Sequence, residues 1–92
     1  MELKDTVEMM CSEDYKERFK AEYNQTKLRY EKLKAFNTKI EAAERIKYRP
    51  TTISVDMPQH DCPEELLCEQ QRLMGEYLHI LEVRAVIENI IL

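Results

Sequence analysis

Glycine, proline and tryptophan are scarce in this sequence. One glycine, three prolines and no tryptophan occur among 92 residues. So few chain breakers leave little room for the many tight turns of a β-sandwich or for a strained active-site turn. Charged residues make up 35% and apolar residues 43% of the chain, a balance typical of a folded helical protein rather than a disordered one. We therefore expect one small, soluble, all-α domain over residues 1–92.

Long apolar runs and paired cysteines are also missing. No stretch approaches the roughly 20 apolar residues of a membrane span, and the N-terminal MELKDTVEMM is too acidic for a signal peptide. Cys11, Cys62 and Cys68 are odd in number, and with His60 and His79 they complete no zinc-binding spacing. We expect reduced thiols, no metal, no cofactor and a cytoplasmic location.

The charge balance and the absence of catalytic motifs narrow the function further. A net charge of −4 argues against a protein that coats long nucleic acids, although a local basic row can still bind a compact anion. The chain has no glycine-rich phosphate loop, no HExxH and no nucleophile motif, and neither histidine has an evident catalytic partner. We expect a protein that is not an enzyme.

The order of helix formers and breakers predicts three helices, at about 2–10, 13–47 and 63–89, with a loop at about 49–61. Ser12 is a suitable N-cap for the long helix, because its hydroxyl can accept a free backbone N–H. Pro50 disfavours helix at the residue before it, and Pro63 suits the first turn of the last helix. The expected fold is a short N-terminal helix followed by a long antiparallel helical hairpin.

The long helix carries two patterns on adjacent faces. At 100° per residue, one narrow sector forms the expected packing stripe: Tyr15, Phe19, Thr26, Leu33, Asn37 and Ile40. About 90° away lies a second set, the lysine–tyrosine row: Lys16, Lys20, Tyr23, Lys27, Tyr30 and Lys34. Lysines can bind phosphate oxygens and tyrosine rings can stack on a nucleobase. The alternative interpretation is a solvated face whose stems and rings shield the edge of the core.

The third helix has an apolar face wider than one partner helix can cover. One sector holds Leu66, Leu73, Tyr77, Ile80, Ile87 and Ile91 with Gln70 and Arg84; the adjoining one holds Leu67, Met74, Leu78, Leu81, Ala85 and Leu92. Because a small hairpin is marginally stable and this surface would remain in water, we expect a homo-oligomer that associates through helix faces. Arg84 either extends to solvent, pairs with Glu22 or contacts a ligand. Gly75 either permits a close backbone approach or is merely tolerated.

Two strings carry a family resemblance: MELKDTVEMMCSEDYKERFKAEYNQTKLRYEKL and CPEELLCEQQRLMGEYLHILEVRAVIENIIL. They resemble a family of small uncharacterised helical proteins of gut bacteriophages and prophages, including crAss-like phages. Residues 35–61 depart from that family, whose members have a shorter, glycine-containing linker. The resemblance implies a phage origin and the host cytoplasm, but no activity. Small phage proteins of this build include oligomeric sponges that sequester cyclic nucleotide or ADP-ribose-type immune signals.

These observations lead to two hypotheses. In the first, the chain is an oligomeric counter-defence sponge: Lys16, Lys20 and Lys27 bind phosphate, Tyr23 and Tyr30 stack on a base, and Arg18 or Arg84 closes the pocket. In the second, the chain is a structural or adaptor protein whose apolar third helix grips a host or phage protein.

Overall fold

The computed structural model describes residues 1–49 and 53–92 of the chain. A 3₁₀ turn at Leu3–Thr6 leads into α1 (Val7–Met10), followed by the long α2 (Tyr15–Ile46) and by α3 (Glu64–Ile87). No strand occurs in these two described ranges. The predicted all-α class, with a short N-terminal helix and two long helices packed together, is confirmed. The predicted loop at 49–61 includes residues 50–52, which lie outside the described residues.

The start of α2 differs from the prediction that Ser12 caps it. Asp14 is the N-cap, and its carboxylate accepts the backbone N–H of Lys16 at 3.0 Å. The Ser12 hydroxyl instead accepts the backbone N–H of Asp14 at 3.1 Å, so it supports the cap from outside the helix. A carboxylate at this position also complements the partial positive charge of the helix N-terminus.

The end of α3 is set by a Schellman motif around Asn89. Asn89 has a positive φ of 57°, a conformation that asparagine tolerates better than most residues. The backbone N–H of Ile90 then reaches the Ala85 carbonyl at 2.8 Å, and the Ile90 side chain is buried. The helix therefore ends at Ile87, two residues before the predicted boundary, and the chain turns back onto the core.

The apolar core lies between α2 and α3 near the open end of the hairpin. Its buried members are Phe19, Tyr23, Leu78, Leu81, Ala85 and Ile90, with Tyr30 packed against them. The N-terminal turn and α1 pack on α2, and Thr6 is fully buried there while its hydroxyl donates to the Leu3 carbonyl at 2.7 Å. Towards the hairpin tip, α2 buries Asn37, Ile40 and Ala43.

The predicted packing stripe of α2 is only partly correct. Phe19, Asn37 and Ile40 are buried, but Tyr15 is 45% exposed. Tyr23, which the periodicity placed in the neighbouring row, belongs to the core. A helix that packs against one long partner buries a band wider than a single narrow sector, so residues on both sides of the stripe enter the contact.

The wide apolar face of α3 is divided between protein and solvent. The sector with Leu78, Leu81 and Ala85 packs against α2. The adjoining sector remains exposed along the whole helix: Leu66, Leu73, Tyr77, Ile80 and Ile87 are each 40–77% exposed. The contact with α2 therefore covers only one of the two apolar sectors of α3.

Gly75 lies directly against the Tyr30 ring. A Cβ atom at position 75 would lie 3.3 Å from Tyr30 Cε1, which is closer than most side chains pack, and 3.5 Å from the Tyr30 hydroxyl oxygen, an ordinary contact distance. Of the two interpretations of this glycine, the close approach is therefore the one observed, although it is made by a tyrosine ring rather than by backbone. The absent side chain is what lets Tyr30 cross the seam.

Replacing Gly75 with alanine tests this contact. Alanine favours a helix over glycine by about 1 kcal/mol, but in the native chain the new methyl group presses on Tyr30 and offsets part of that gain. We expect Gly75→Ala to stabilise a Tyr30→Ala variant by about 1 kcal/mol and the native chain by clearly less, as measured by urea unfolding. An equal gain in both backgrounds would show that the ring does not need the glycine.

Candidate functional site

The lysine–tyrosine row does not form one continuous surface. Tyr23 is 7% exposed, and its hydroxyl donates to the Glu82 carboxylate on α3 at 2.6 Å. That hydrogen bond, together with burial, raises the pKa of Tyr23 to about 12. In the single chain its ring packs in the core and cannot stack on a base. Tyr23 thus divides the row into two parts.

The middle of the row lines a small cleft between α2 and α3. Tyr23, Lys27 and Tyr30 are brought together there, in a volume of about 200 Å³ that Gly75 and Leu78 close from below. Glu31 and Glu82 line the same cleft, and the Lys27 ammonium lies 5.9 Å from the centre of the Tyr23 ring. Two carboxylates beside one lysine disfavour an anionic guest in this cleft.

The cations at the start of the row already have partners nearby. Lys16 Nζ donates to the Asn89 carbonyl at 3.5 Å, and Lys20 lies 3.7 Å from the Glu17 carboxylate. Arg18 donates to the Ser12 carbonyl at 2.7 Å. These side chains lie near the open end of the hairpin, away from the cleft at Lys27, so the chain does not gather the predicted site residues at one point.

Arg84 is held by a network that joins the two helices. Its Nε donates to Glu88 at 3.1 Å, and one Nη donates to the Tyr15 hydroxyl at 2.7 Å. The guanidinium carbon also lies 5.1 Å from the centre of the Phe19 ring. Pairing with Glu22, one of the alternatives considered for Arg84, is not among these contacts; the Glu22 carboxylate accepts a hydrogen bond from the Tyr77 hydroxyl.

The Tyr23–Glu82 hydrogen bond makes stability depend on pH in the alkaline range. The folded state keeps the Tyr23 proton up to about pH 12, whereas an unfolded tyrosine loses it near 10.0. The stability that the Tyr23–Glu82 hydrogen bond contributes is therefore complete below pH 10 and is lost as the pH rises through about 12. We expect the free energy of unfolding to fall less steeply over this range in Tyr23→Phe than in the native chain.

Chemical denaturation at a series of pH values measures these slopes. Tyr48→Phe, which alters an exposed ring outside the core, is the matched control and keeps the native slope. Identical slopes for Tyr23→Phe and the native chain would contradict the assignment of the Tyr23 proton to the Glu82 hydrogen bond.

A larger cleft lies on the other flank of α2, near the hairpin tip. Its volume is about 570 Å³, within the range of small-molecule sites. The lining residues come from α2, from the end of the loop and from α3: Arg29, Lys32, Leu33, Phe36, His60, Asp61, Cys62 and Leu67. The Phe36 and His60 rings meet edge to face, with centroids 6.1 Å apart and planes at 85°. The cleft is wide open to solvent.

The polar groups of this tip cleft are suited to an anion with a flat ring. Arg29 and Lys32 project from successive turns of α2, and neither forms an ion pair with any described residue. His60 Nδ1 lies 2.7 Å from the Cys62 carbonyl oxygen. A carbonyl only accepts, so Nδ1 carries a proton and Nε2 is left free for a ligand. Asp61 is the one carboxylate in the lining.

Sequence reasoning did not identify the tip cleft. The spacing of Arg29, Lys32 and Phe36, three and then four residues apart, was a usable signal, since these intervals place side chains on one helix face. His60 had no such signal, because its position depends on how the loop folds back onto α2. Cys11, Cys62 and Cys68 are all exposed, and none forms a disulfide among the described residues.

Two features are absent from the described residues. Within 1–49 and 53–92, no three histidine, cysteine or acidic side chains lie close enough to hold a common metal ion. Among the helices described here, none is both long and apolar enough to cross a bilayer.

Comparison with known proteins gives a family match. A family model described as Sequestin matches residues 13–87, which include both long helices and residues 35–61, where the sequence resemblance was weakest. No curated protein and no solved structure matches the chain. The matched range contains every residue of the tip cleft and all of the predicted site residues.

Proposed function

Because this chain belongs to the Sequestin family, we propose that it captures a small ligand and holds it without changing it chemically. The family's name is consistent with a sequestering protein. The fold supports a binding role, since a rigid hairpin presents side chains from two helices at fixed spacing. The proposal assigns no nucleophile, metal or cofactor to the site.

The ligand we propose is a small anionic nucleotide, bound in the tip cleft. The observation that carries this choice is that Arg29 and Lys32, which form no ion pair with a described residue, line this cleft together with two aromatic rings. The His60 ring is exposed, and the Phe36 ring beside it is half-buried. Guanidinium and ammonium groups bind phosphate oxygens, and a base can stack on an aromatic ring beside them. The lysine–tyrosine row remains the alternative site, although Lys16 and Lys20 already have local partners.

The biological setting in this proposal follows from the sequence resemblance. A phage or prophage protein in the host cytoplasm that binds cyclic nucleotides or ADP-ribose-type signals would lower their free concentration and weaken an immune response. Capture by mass action needs a tight complex and an excess of protein, but no turnover. The proposal also retains the predicted homo-oligomer.

A binding panel tests the proposal directly. We expect thermal unfolding to shift upward with at least one of the cyclic dinucleotides, cyclic trinucleotides and cyclic ADP-ribose isomers. A ligand at about 100 times its Kd stabilises the folded state by about 2.7 kcal/mol. A flat response across the panel would contradict nucleotide capture.

Matched lysine variants locate the site. Lys32→Ala should weaken the responding ligand at least about tenfold, as one lost charge-assisted contact predicts, whereas Lys39→Ala on the same helix should not. Lys16→Ala and Lys20→Ala test the lysine–tyrosine row. Loss of binding in those two variants, with Lys32→Ala unaffected, would move the site to that row.

The second candidate function is an adaptor that binds another protein through α3. The exposed apolar sector of that helix is the observation that favours it. A chain that stays monomeric, binds no nucleotide and forms a defined complex with one host or phage protein would support the adaptor.

A further inference from the structure

The exposed sector of α3 has the spacing of a coiled-coil seam. It consists of Leu66, Gln70, Leu73, Tyr77, Ile80, Arg84 and Ile87. Successive members are four, three, four, three, four and three residues apart, which is the heptad interval at which one helix packs along another. All seven side chains are exposed, whereas the sector beside them is covered by α2. We call this set the α3 seam.

We propose that the α3 seam is the contact between two copies of this chain, packed antiparallel about a two-fold axis near Tyr77. A groove lined by Leu66, Leu73, Met74 and Tyr77 already runs along the helix, with a volume of about 670 Å³. Side chains from the α3 helix of a second copy would fill this groove. This inference concerns assembly alone, so it can fail or hold independently of nucleotide capture.

The area of the seam matches that of a specific dimer. Its five apolar members are 40–77% exposed, and Val83 beside them is 44% exposed. With Gln70 and Arg84, the patch presents on the order of 800 Å² per chain, which is one partner's share of a standard interface. Exposed apolar patches larger than a few hundred Å² are uncommon on monomers.

The charge of Arg84 favours antiparallel over parallel packing of the α3 helices from two copies. In a parallel pair Arg84 would face Arg84 of the partner subunit across an apolar seam, and two desolvated like charges repel. In an antiparallel pair centred on Tyr77, each Arg84 lies beside Gln70 and Glu69 of the partner subunit. Polar side chains then meet each other, and apolar ones meet apolar ones.

Arg84 and Glu69 can each accept a further partner from another copy of the chain. Arg84 uses Nε and one Nη within its own chain, and its other Nη has no hydrogen bond to any described residue. Glu69 is held loosely, 4.0 Å from Arg72, which lies closer to Glu76 at 3.1 Å. Within one chain, Arg84 and Glu69 are 15 residues apart on α3, about 22 Å along the axis, so they can pair only between copies.

Sedimentation of the full chain and of seam variants tests the proposal. We expect the native chain to sediment at twice the monomer mass or at a multiple of that, and Leu73→Glu to weaken association at least about tenfold. Val86→Glu is the matched control, because Val86 is 83% exposed on the same helix but outside the seam, and it should leave association unchanged. Since Leu73 is already exposed, helical circular dichroism should stay native in both.

A charge exchange tests the direction. Arg84→Glu alone should weaken association, and Arg84→Glu combined with Glu69→Arg should restore it. A monomeric native chain, an oligomer indifferent to Leu73→Glu, or no rescue by the exchange would each overturn the proposal. A monomer that forms a complex with a different protein through α3 would assign the seam to an adaptor instead.

Discussion

A hairpin of two helices has a single seam, and that seam covers only one side of each helix. In this chain the side that is covered joins Phe19 and Tyr23 to Leu78, Leu81 and Ala85. The rest of the structure depends on how those side chains interlock. Gly75 lets Tyr30 cross between the helices, and the Schellman turn at Asn89 returns Ile90 to the same core. The surfaces that the contact between α2 and α3 leaves uncovered are available for binding. They are the tip cleft on one flank of α2 and the α3 seam on the outer side of the hairpin.

Polar contacts fix the register of the hairpin where apolar contacts would tolerate sliding. Near the tip, the buried Asn37 amide donates to Gln71 at 2.9 Å and to the Leu67 carbonyl at 3.2 Å. At the middle, Tyr23 meets Glu82, and at the open end Tyr15, Arg84 and Glu88 form one network. If one helix slid by one turn along the other, all three sets of hydrogen bonds would break. The Asn37 amide would then be buried against apolar side chains without a partner, which costs more free energy than the lost hydrogen bonds themselves. Fixed register in turn fixes which side chains face outward.

The sequence predicted the helices well because periodicity and chain breakers are local properties. The all-α class and the two long helices follow from the interval of apolar residues and from the scarcity of glycine and proline. The sequence was less informative about which face of each helix is buried. Both sectors of α3 are apolar, so hydrophobicity alone could not say that Leu78 and not Ile80 faces α2. Tyr23 entered the core because packing buries a band wider than one sector. His60 reached Phe36 through the path of a loop, and no interval in the sequence encodes that path.

Capture of a nucleotide without chemical change can be tested by ultrafiltration. The protein is mixed with slightly less than an equimolar amount of the nucleotide that gives the largest thermal shift, and the filtrate is then assayed. We expect the nucleotide to be depleted from the filtrate and to be recovered with its original mass after the protein is denatured. Undiminished nucleotide in the filtrate, or recovery of a cleaved or linearised product, would contradict it.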